Sequence, residues 1–179
     1  MNSEDISITN KLLSTAKKIV VVGHKNPDGD AVGSCLGLCN FLKQKGHQVQ
    51  VVMPNDFPDF LKWIPEASSI INYEQNFEET KTAIQKAEII FTLDFNALNR
   101  TGGLATELEQ AAADFILIDH HQQPDDYALV TYSDVAMCST SEMVFHFMEK
   151  LEGIKLLNKE IATQLYVGIM TDTGSFRFQ

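Results

Sequence analysis

At 179 residues the chain is long enough for one domain with a sizeable core, and its apolar fraction of 44% is ordinary for a globular protein. Its 14 Lys+Arg against 24 Asp+Glu give a net charge of −10, which argues against a broad basic surface for long nucleic acid. A small anionic substrate held through metal ions is not excluded, because bound cations reverse the local field.

The opening, MNSEDISITN, is acidic and polar, unlike a secretory signal. No run of about 18 apolar residues is present to span a membrane, and a cytoplasmic location is expected. The β-branched run Ile19 to Val22 reads as a short buried strand. It empties into HKNPDGDAVGS, which packs His24, Asp28 and Asp30 among two glycines and a proline. Residues 31–45 then read as a helix, with Leu38 and Leu42 four apart and Gly46 placed to end it. His47 is expected to be exposed just beyond. Val49 to Met53 form the next strand. MPNDFPDFLKWIPE follows as a loop, since Pro54, Pro58 and Pro65 remove amide donors. Phe57, Phe60, Leu61 and Trp63 are expected to fold it onto the body.

Residues 76–87 suit a surface helix. IIFTLD, Ile89 to Asp94, is an apolar strand ending in a carboxylate. A further helix is expected within Thr101 to Ala113. FILIDHH, Phe115 to His121, is another hydrophobic strand emptying into charge. Ala128 to Thr131 form a short strand. One helix starts near Ser139, and Ser139, Thr140 and Ser141 read as its cap. His146 reads as an ordinary member of that helix. The last helix starts at Asn158 and breaks at Met170–Phe176, which leaves Asp172 in the following loop. Strands alternating with helices predict a three-layer α/β domain with a mostly parallel central sheet. Cys35, Cys39 and Cys138 lack zinc-site spacing and read as buried thiols in a reducing compartment.

In a parallel sheet the strand C-termini share one edge, and the loops leaving them line a crevice. Asp28 and Asp30, Asp94, the triplet Asp119, His120 and His121, and Asp172 all fall at that edge. Adjacent carboxylates repel, and burial without a cation would raise their pKa values. Divalent metal resolves the conflict. Mixed His and Asp ligands without thiolate suit Mn²⁺, Co²⁺, Fe²⁺ or Zn²⁺ better than Ca²⁺. On a continued strand Asp28 and Asp30 would point the same way, whereas a turn would direct them to different ions.

As a set, HKNPDGDAVGS, the strand-ending Asp94, the Asp119–His120–His121 triplet and TDTG resemble the four motifs of the DHH phosphoesterase superfamily. The wording of NPDGDAVGS, IDHH and GIMTDTGSF is most similar to its nanoRNase/pAp phosphatase branch. That resemblance implies two divalent metal ions, with Mn²⁺ expected. It casts His24 and Asp28 as ligands of the first, Asp30, His120 and Asp172 as ligands of the second, and Asp94 as the bridge. His121 would contact the substrate phosphate and assist the leaving oxygen, and Asp119 would orient the imidazoles. Catalytic roles are thus expected of His121, Asp94 and Asp119. Substrate contacts are expected of Arg100, His121 and Asn99, with Arg100 able to grip phosphate bidentately. The implied activity is hydrolysis of short oligoribonucleotides, dinucleotides and 3′-phosphoadenosine 5′-phosphate (pAp) by metal-activated water. The implied partners are these short RNA or nucleotide substrates, without long nucleic acid or membrane. A homodimer is left open.

Members of this branch carry a second, DHHA1-type domain that closes over the crevice. Nothing in residues 1–179 resembles it, so the chain is expected to be one DHH catalytic domain of a longer protein. An inorganic pyrophosphatase or exopolyphosphatase of the same superfamily is the nearest alternative, since it needs the same ions. A catalytically silent nucleotide-binding module is a second alternative. A Rossmann dinucleotide binder fits worse, because GHKNPDGDAVGS is not GxGxxG and its acids would repel a pyrophosphate without metal.

Overall fold

The computed structural model describes residues 1–177. The last two residues of the expected domain range, 178 and 179, lie outside the described residues. Six strands form one sheet: β1 (Lys18–Val22), β2 (Gln48–Met53), β3 (Ile71–Asn72), β4 (Ile89–Leu93), β5 (Asp114–Asp119) and β6 (Val130–Ser133). Their order is β3-β2-β1-β4-β5-β6, and every neighbouring pair is parallel. Among the described residues six α-helices accompany them: α1 (Ser3–Leu12), α2 (Gly29–Gln44), α3 (Phe77–Lys86), α4 (Ala105–Glu109), α5 (Thr140–Lys150) and α6 (Lys159–Asp172).

The strands are apolar throughout because both faces are covered. Successive side chains point to opposite faces. Ile19 and Val21 of β1 therefore enter the larger core, under α1, α2, α5 and α6, while Val20 and Val22 enter the smaller core under α3 and α4. Ile89, Phe91 and Leu93 of β4 likewise face the larger core, and Ile90 faces the smaller one. The three-layer α/β expectation is thus met. After β1 the chain runs outward to β2 and β3, then returns to β4 on the other side of β1. This reversal opens a crevice at the C-terminal ends of β1 and β4.

Several local expectations change. Helix α1 was not anticipated from the polar start. It has a capping box, in which Asn2 Oδ1 accepts the Asp5 N–H at 2.8 Å and Asp5 Oδ2 accepts the Asn2 N–H at 3.2 Å. β3, a two-residue strand, was also missed, and β6 lies at Val130–Ser133 rather than 128–131. The expected helix within 101–113 is a 3₁₀ stretch, Leu98–Leu104, followed by the short α4. A positive φ of 61° at Gly102 breaks that run. Helix α2 starts two residues early, at Gly29, because Asp28 caps it. Helix α6 extends through Asp172, so this acid sits in its last turn and not in a following loop.

Of the four apolar residues in the 54–67 loop, Phe57 and Leu61 are buried, but Phe60 and Trp63 stand exposed. His47 is buried, because β2 and the segment entering β1 close over it and its Nδ1 accepts the Lys17 N–H at 3.2 Å. His146 lies on α5 as expected, beside Glu149 at 2.8 Å. Cys35 and Cys39 are buried, whereas Cys138 is only partly so.

Candidate metal centre

Each ligand candidate is delivered by a strand end or a helix end. Asp28 caps α2, with Oδ1 accepting the N–H groups of Asp30 and Ala31, both at 3.0 Å. Asp28 stays exposed while Asp30, in the first turn, is buried. The two acids therefore point differently, as a turn requires and a continued strand would not. Asp94 directly follows β4 at φ 66°, a left-handed conformation for which Asp and Asn are enriched. It is buried between His24 and the imidazoles of the 119–121 triplet.

Asp94 has two sides. Its Oδ2 lies 3.5 Å from His24 Nε2, and that nitrogen lies 3.9 Å from Asp28 Oδ1. Its Oδ1 lies 3.6 Å from His120 Nε2, which is also 3.6 Å from Asp172 Oδ2. Two donor sets result. His24, Asp28 and Asp94 form one and Asp30, His120 and Asp172 the other, each with ligand atoms within 4.8 Å of one another. Asp94, His120 and His121 form a third set that overlaps them. Separations of 3.5–3.9 Å exceed good hydrogen bonds and suit ligand atoms facing a common cation.

The ring orientations are fixed from behind. His24 Nδ1 lies 2.8 Å from the Lys25 carbonyl and His120 Nδ1 lies 3.3 Å from the Met137 carbonyl. Each contact places a proton on Nδ1 and leaves Nε2 as a lone-pair donor toward the acids. His121 differs. Its Nδ1 sits 2.7 Å from Asp119 Oδ1, and Asp119 is fully buried. Asp119 thus orients an imidazole rather than joining either donor set.

Without cations this crowd of acids is uncomfortable. Burial, and then the Asp94 charge, push the Asp30 carboxyl well above the usual carboxylate range, although the Ser141 N–H donates to it. Burial also raises Asp172; His120 opposes that rise, and the charges of Asp94 and Asp28 add to it. Burial pulls His24 down, but the nearby Asp94 carboxylate and the Lys25 carbonyl outweigh it, so its imidazole ends above the ordinary value. The Asp119 hydrogen bond raises His121 against burial and the Arg100 charge. Carboxylates and imidazoles in N/O-only sets fit a borderline divalent ion, which would relieve the repulsion. All six expected ligands are therefore brought together.

The expected substrate contacts are less enclosed. Asn99 and Arg100 lie exposed on the 3₁₀ stretch. The Arg100 carbonyl accepts the Lys25 N–H at 2.9 Å, which ties this stretch to the His24 loop. Arg100 is close enough to lower the His121 pKa, whereas no hydrogen bond of Asn99 into the site is seen among the described residues. Ser139 caps α5 as expected, accepting the Glu142 N–H at 3.1 Å. Sequence reasoning did not foresee that Thr140 reaches the acids: its hydroxyl donates to Asp94 Oδ1 at 3.0 Å. Only its place beside the helix cap marked it.

A family model for the N-terminal domain of the DHH family matches residues 18–169. The chain belongs to the DHH family. Among DHH relatives, the bifunctional oligoribonuclease and PAP phosphatase NrnA of Thermus thermophilus is 32% identical over 161 residues, covering 89% of this chain and 44% of that protein. The cyclic-di-AMP phosphodiesterase PdeA of Listeria monocytogenes is 24% identical, covering 93% of this chain and 26% of that protein. A crystal structure of an exopolyphosphatase-related protein from Bacteroides fragilis superposes with a TM-score of 0.97 at 40% identity, over 99% of this chain and 52% of that one. The chain thus spans about half or less of these DHH proteins.

Proposed function

We propose that this chain carries the metal centre of a phosphoesterase that hydrolyses short oligoribonucleotides, dinucleotides and pAp. One observation carries the reading: Asp94 stands between the two donor sets, with Oδ2 3.5 Å from His24 Nε2 and Oδ1 3.6 Å from His120 Nε2. His24, Asp28 and Asp94 would hold one divalent ion, and Asp30, Asp94, His120 and Asp172 a second, with Mn²⁺ the first candidate. Such a pair, when bound, activates water and offsets the charge of a phosphoryl transition state.

The chain's own groups complete the reaction. With Nδ1 held by Asp119, His121 is proposed to meet the substrate through Nε2. The attacking water gives one proton to solvent as its oxygen bonds to phosphorus, the ester P–O bond breaks, and the leaving oxygen takes a proton from the His121 imidazolium, which solvent then reprotonates. Arg100, on the rim near His121, is proposed to hold a phosphate with its planar fork, and Asn99 to contact the same substrate. A second, DHHA1-type domain is proposed to supply the rest of substrate recognition. The activities for which the Thermus and Listeria relatives are named support nucleotide substrates. The Bacteroides neighbour supports the second reading, a pyrophosphatase or exopolyphosphatase.

A substrate panel with Mn²⁺ on the full-length protein separates these readings. It comprises pAp, di- to pentanucleotides, a cyclic dinucleotide, pyrophosphate and polyphosphate. Turnover of pAp and the short nucleotides is expected. Turnover confined to pyrophosphate or polyphosphate would replace the nucleotide assignment. Mn²⁺ binding without turnover of any of them would favour a silent binding module.

A further inference from the structure

The two halves of the metal centre are built differently. The half formed by His24 and Asp28 stands on the loop after β1 and the cap of α2. The other half leans on the first turn of α5. Asp30 Oδ2 accepts the Thr140 N–H at 2.6 Å and Asp30 Oδ1 accepts the Ser141 N–H at 2.9 Å. The Thr140 hydroxyl donates at 3.0 Å to Asp94 Oδ1, the oxygen on the His120 side. One residue thus grips Asp30 with its amide and the His120-side oxygen of the shared Asp94 with its hydroxyl. Thr140, Ser141 and Asp30 are all buried, so water does not replace these contacts freely.

The consequence is directional. A carboxylate that bridges two ions must hold one oxygen toward each. Asp94 has one torsion, χ2, that exchanges its oxygens, and the Thr140 hydroxyl is a donor fixed on Oδ1 alone. Oδ1 also lies 3.6 Å from His120 Nε2. We propose that Thr140 is the positioning residue of the second metal pocket: it locks the Asp94 carboxylate in its bridging orientation and couples that pocket more strongly than the His24 pocket to helix α5. This rests on the two-pocket reading above.

Ordering groups behind a ligand typically change metal affinity by about 10- to 100-fold when removed. Thr140→Val keeps the shape and removes the hydroxyl, while leaving the backbone N–H on Asp30. The expected result is weakening of the second Mn²⁺ by about 10-fold or more, with the first little changed. Thr140→Ser retains a hydroxyl and should restore wild-type binding. Thr140→Ala is a second deletion that adds no new atoms, and it serves if the valine variant fails to fold.

The test is Mn²⁺ titration of the metal-free protein followed by calorimetry and by electron paramagnetic resonance. Free and isolated bound Mn²⁺ give a six-line spectrum, whereas a close Mn²⁺ pair broadens it by spin coupling. Wild type and Thr140→Ser should lose the six-line signal at the second equivalent. Folded Thr140→Val or Thr140→Ala should keep an uncoupled signal at that point. If both deletions bind two coupled ions as wild type does, the positioning role is wrong while the two-pocket reading stands. A folded wild type that binds no Mn²⁺ would remove both. Equal weakening of both ions would also overturn the proposal, since Thr140 would then act on the site as a whole.

Discussion

Gly168 of α6 faces Ser141 of α5 with no room for a side chain: a Cβ built at 168 would overlap the Ser141 hydroxyl and lie 2.7 Å from Asp30 Oδ1. The same close approach recurs between α2 and α6. A Cβ on Gly33 would stand 3.1 Å from the Gly168 nitrogen, and one on Gly29 would stand 2.7 Å from Thr171 Cγ2. Small residues here let three helices meet at the acids. Gly168→Ala should therefore destabilise the fold by about 1–3 kcal/mol, as overpacking of a tight core does. It should also weaken Mn²⁺ binding, because Asp30 must move. Chemical denaturation and metal titration would check the two effects. An alanine variant with unchanged stability would mean the helices separate without resistance.

Metal removal should lower stability. A ligand that binds only the folded state stabilises it by about 2.7 kcal/mol at a hundred times its Kd. For a domain of this size that corresponds to a rise in Tm of roughly 5–10 °C. Adding Mn²⁺ to metal-free protein should raise Tm, and EDTA should reverse the rise. Differential scanning fluorimetry would measure it. A Tm that ignores Mn²⁺ would contradict the repulsion argued for Asp30 and Asp172.

His47 gives a pH effect away from the metal centre. Burial and the Lys45 and Lys17 charges lower its pKa, and its Nδ1 is occupied by the Lys17 N–H. The unfolded chain then binds a proton more readily than the folded one. The stabilisation from neutral His47 is complete above the unfolded value of about 6.5 and is lost as pH falls toward and through the lower folded value. His47→Gln keeps an acceptor but does not titrate. Between about pH 7 and pH 5 its unfolding free energy should fall less steeply than that of wild type. Parallel slopes in urea denaturation across that range would show that His47 is not the group responsible.

Much of this architecture was legible in residues 19–22, 89–94 and 115–121, because a strand buried on both faces leaves an uninterrupted apolar run. The acids were legible for the same reason, as charge placed abruptly at the end of such a run is conspicuous. Short or locally determined features were not. β3 is two residues long and has no period to detect. The 3₁₀ stretch at 98–104 depends on the backbone of Gly102. Breaking the last helix at Met170–Phe176 puts Asp172 beyond it, yet Thr173 Oγ1 accepts the Phe176 N–H and its own N–H reaches the Ile169 carbonyl, closing the helix only after Asp172. Thr140 acts across 46 residues on Asp94, and that separation is set by tertiary packing alone.

Arg100→Ala should raise KM for pAp or a dinucleotide with a smaller effect on kcat, if the exposed guanidinium binds phosphate in ground and transition states alike. Arg100→Lys should recover only part of the loss, since an ammonium lacks the bidentate fork. Steady-state kinetics of the full-length variants would show this. Wild-type KM in both would remove Arg100 from the substrate site.

Asp94→Asn is the most demanding test of the shared carboxylate. The substitution should spare the fold. Asn tolerates the left-handed backbone that Asp94 adopts at φ 66°, and its carbonyl oxygen can still accept the Thr140 hydroxyl. Metal-free stability should be equal or slightly higher, because the Asp94 charge is among the causes that raise both Asp30 and Asp172. The amide removes the negative charge between two cations, and only its oxygen can ligate metal. Mn²⁺ should therefore no longer raise Tm as it does in wild type, and phosphate release should fall far more than tenfold. Circular dichroism would confirm folding, fluorimetry would read the metal response, and initial rates on pAp and a dinucleotide would read the chemistry. A folded variant that kept more than roughly a tenth of wild-type kcat, a barrier change under about 1.4 kcal/mol, would rule out a mechanism built on Asp94 as the bridge.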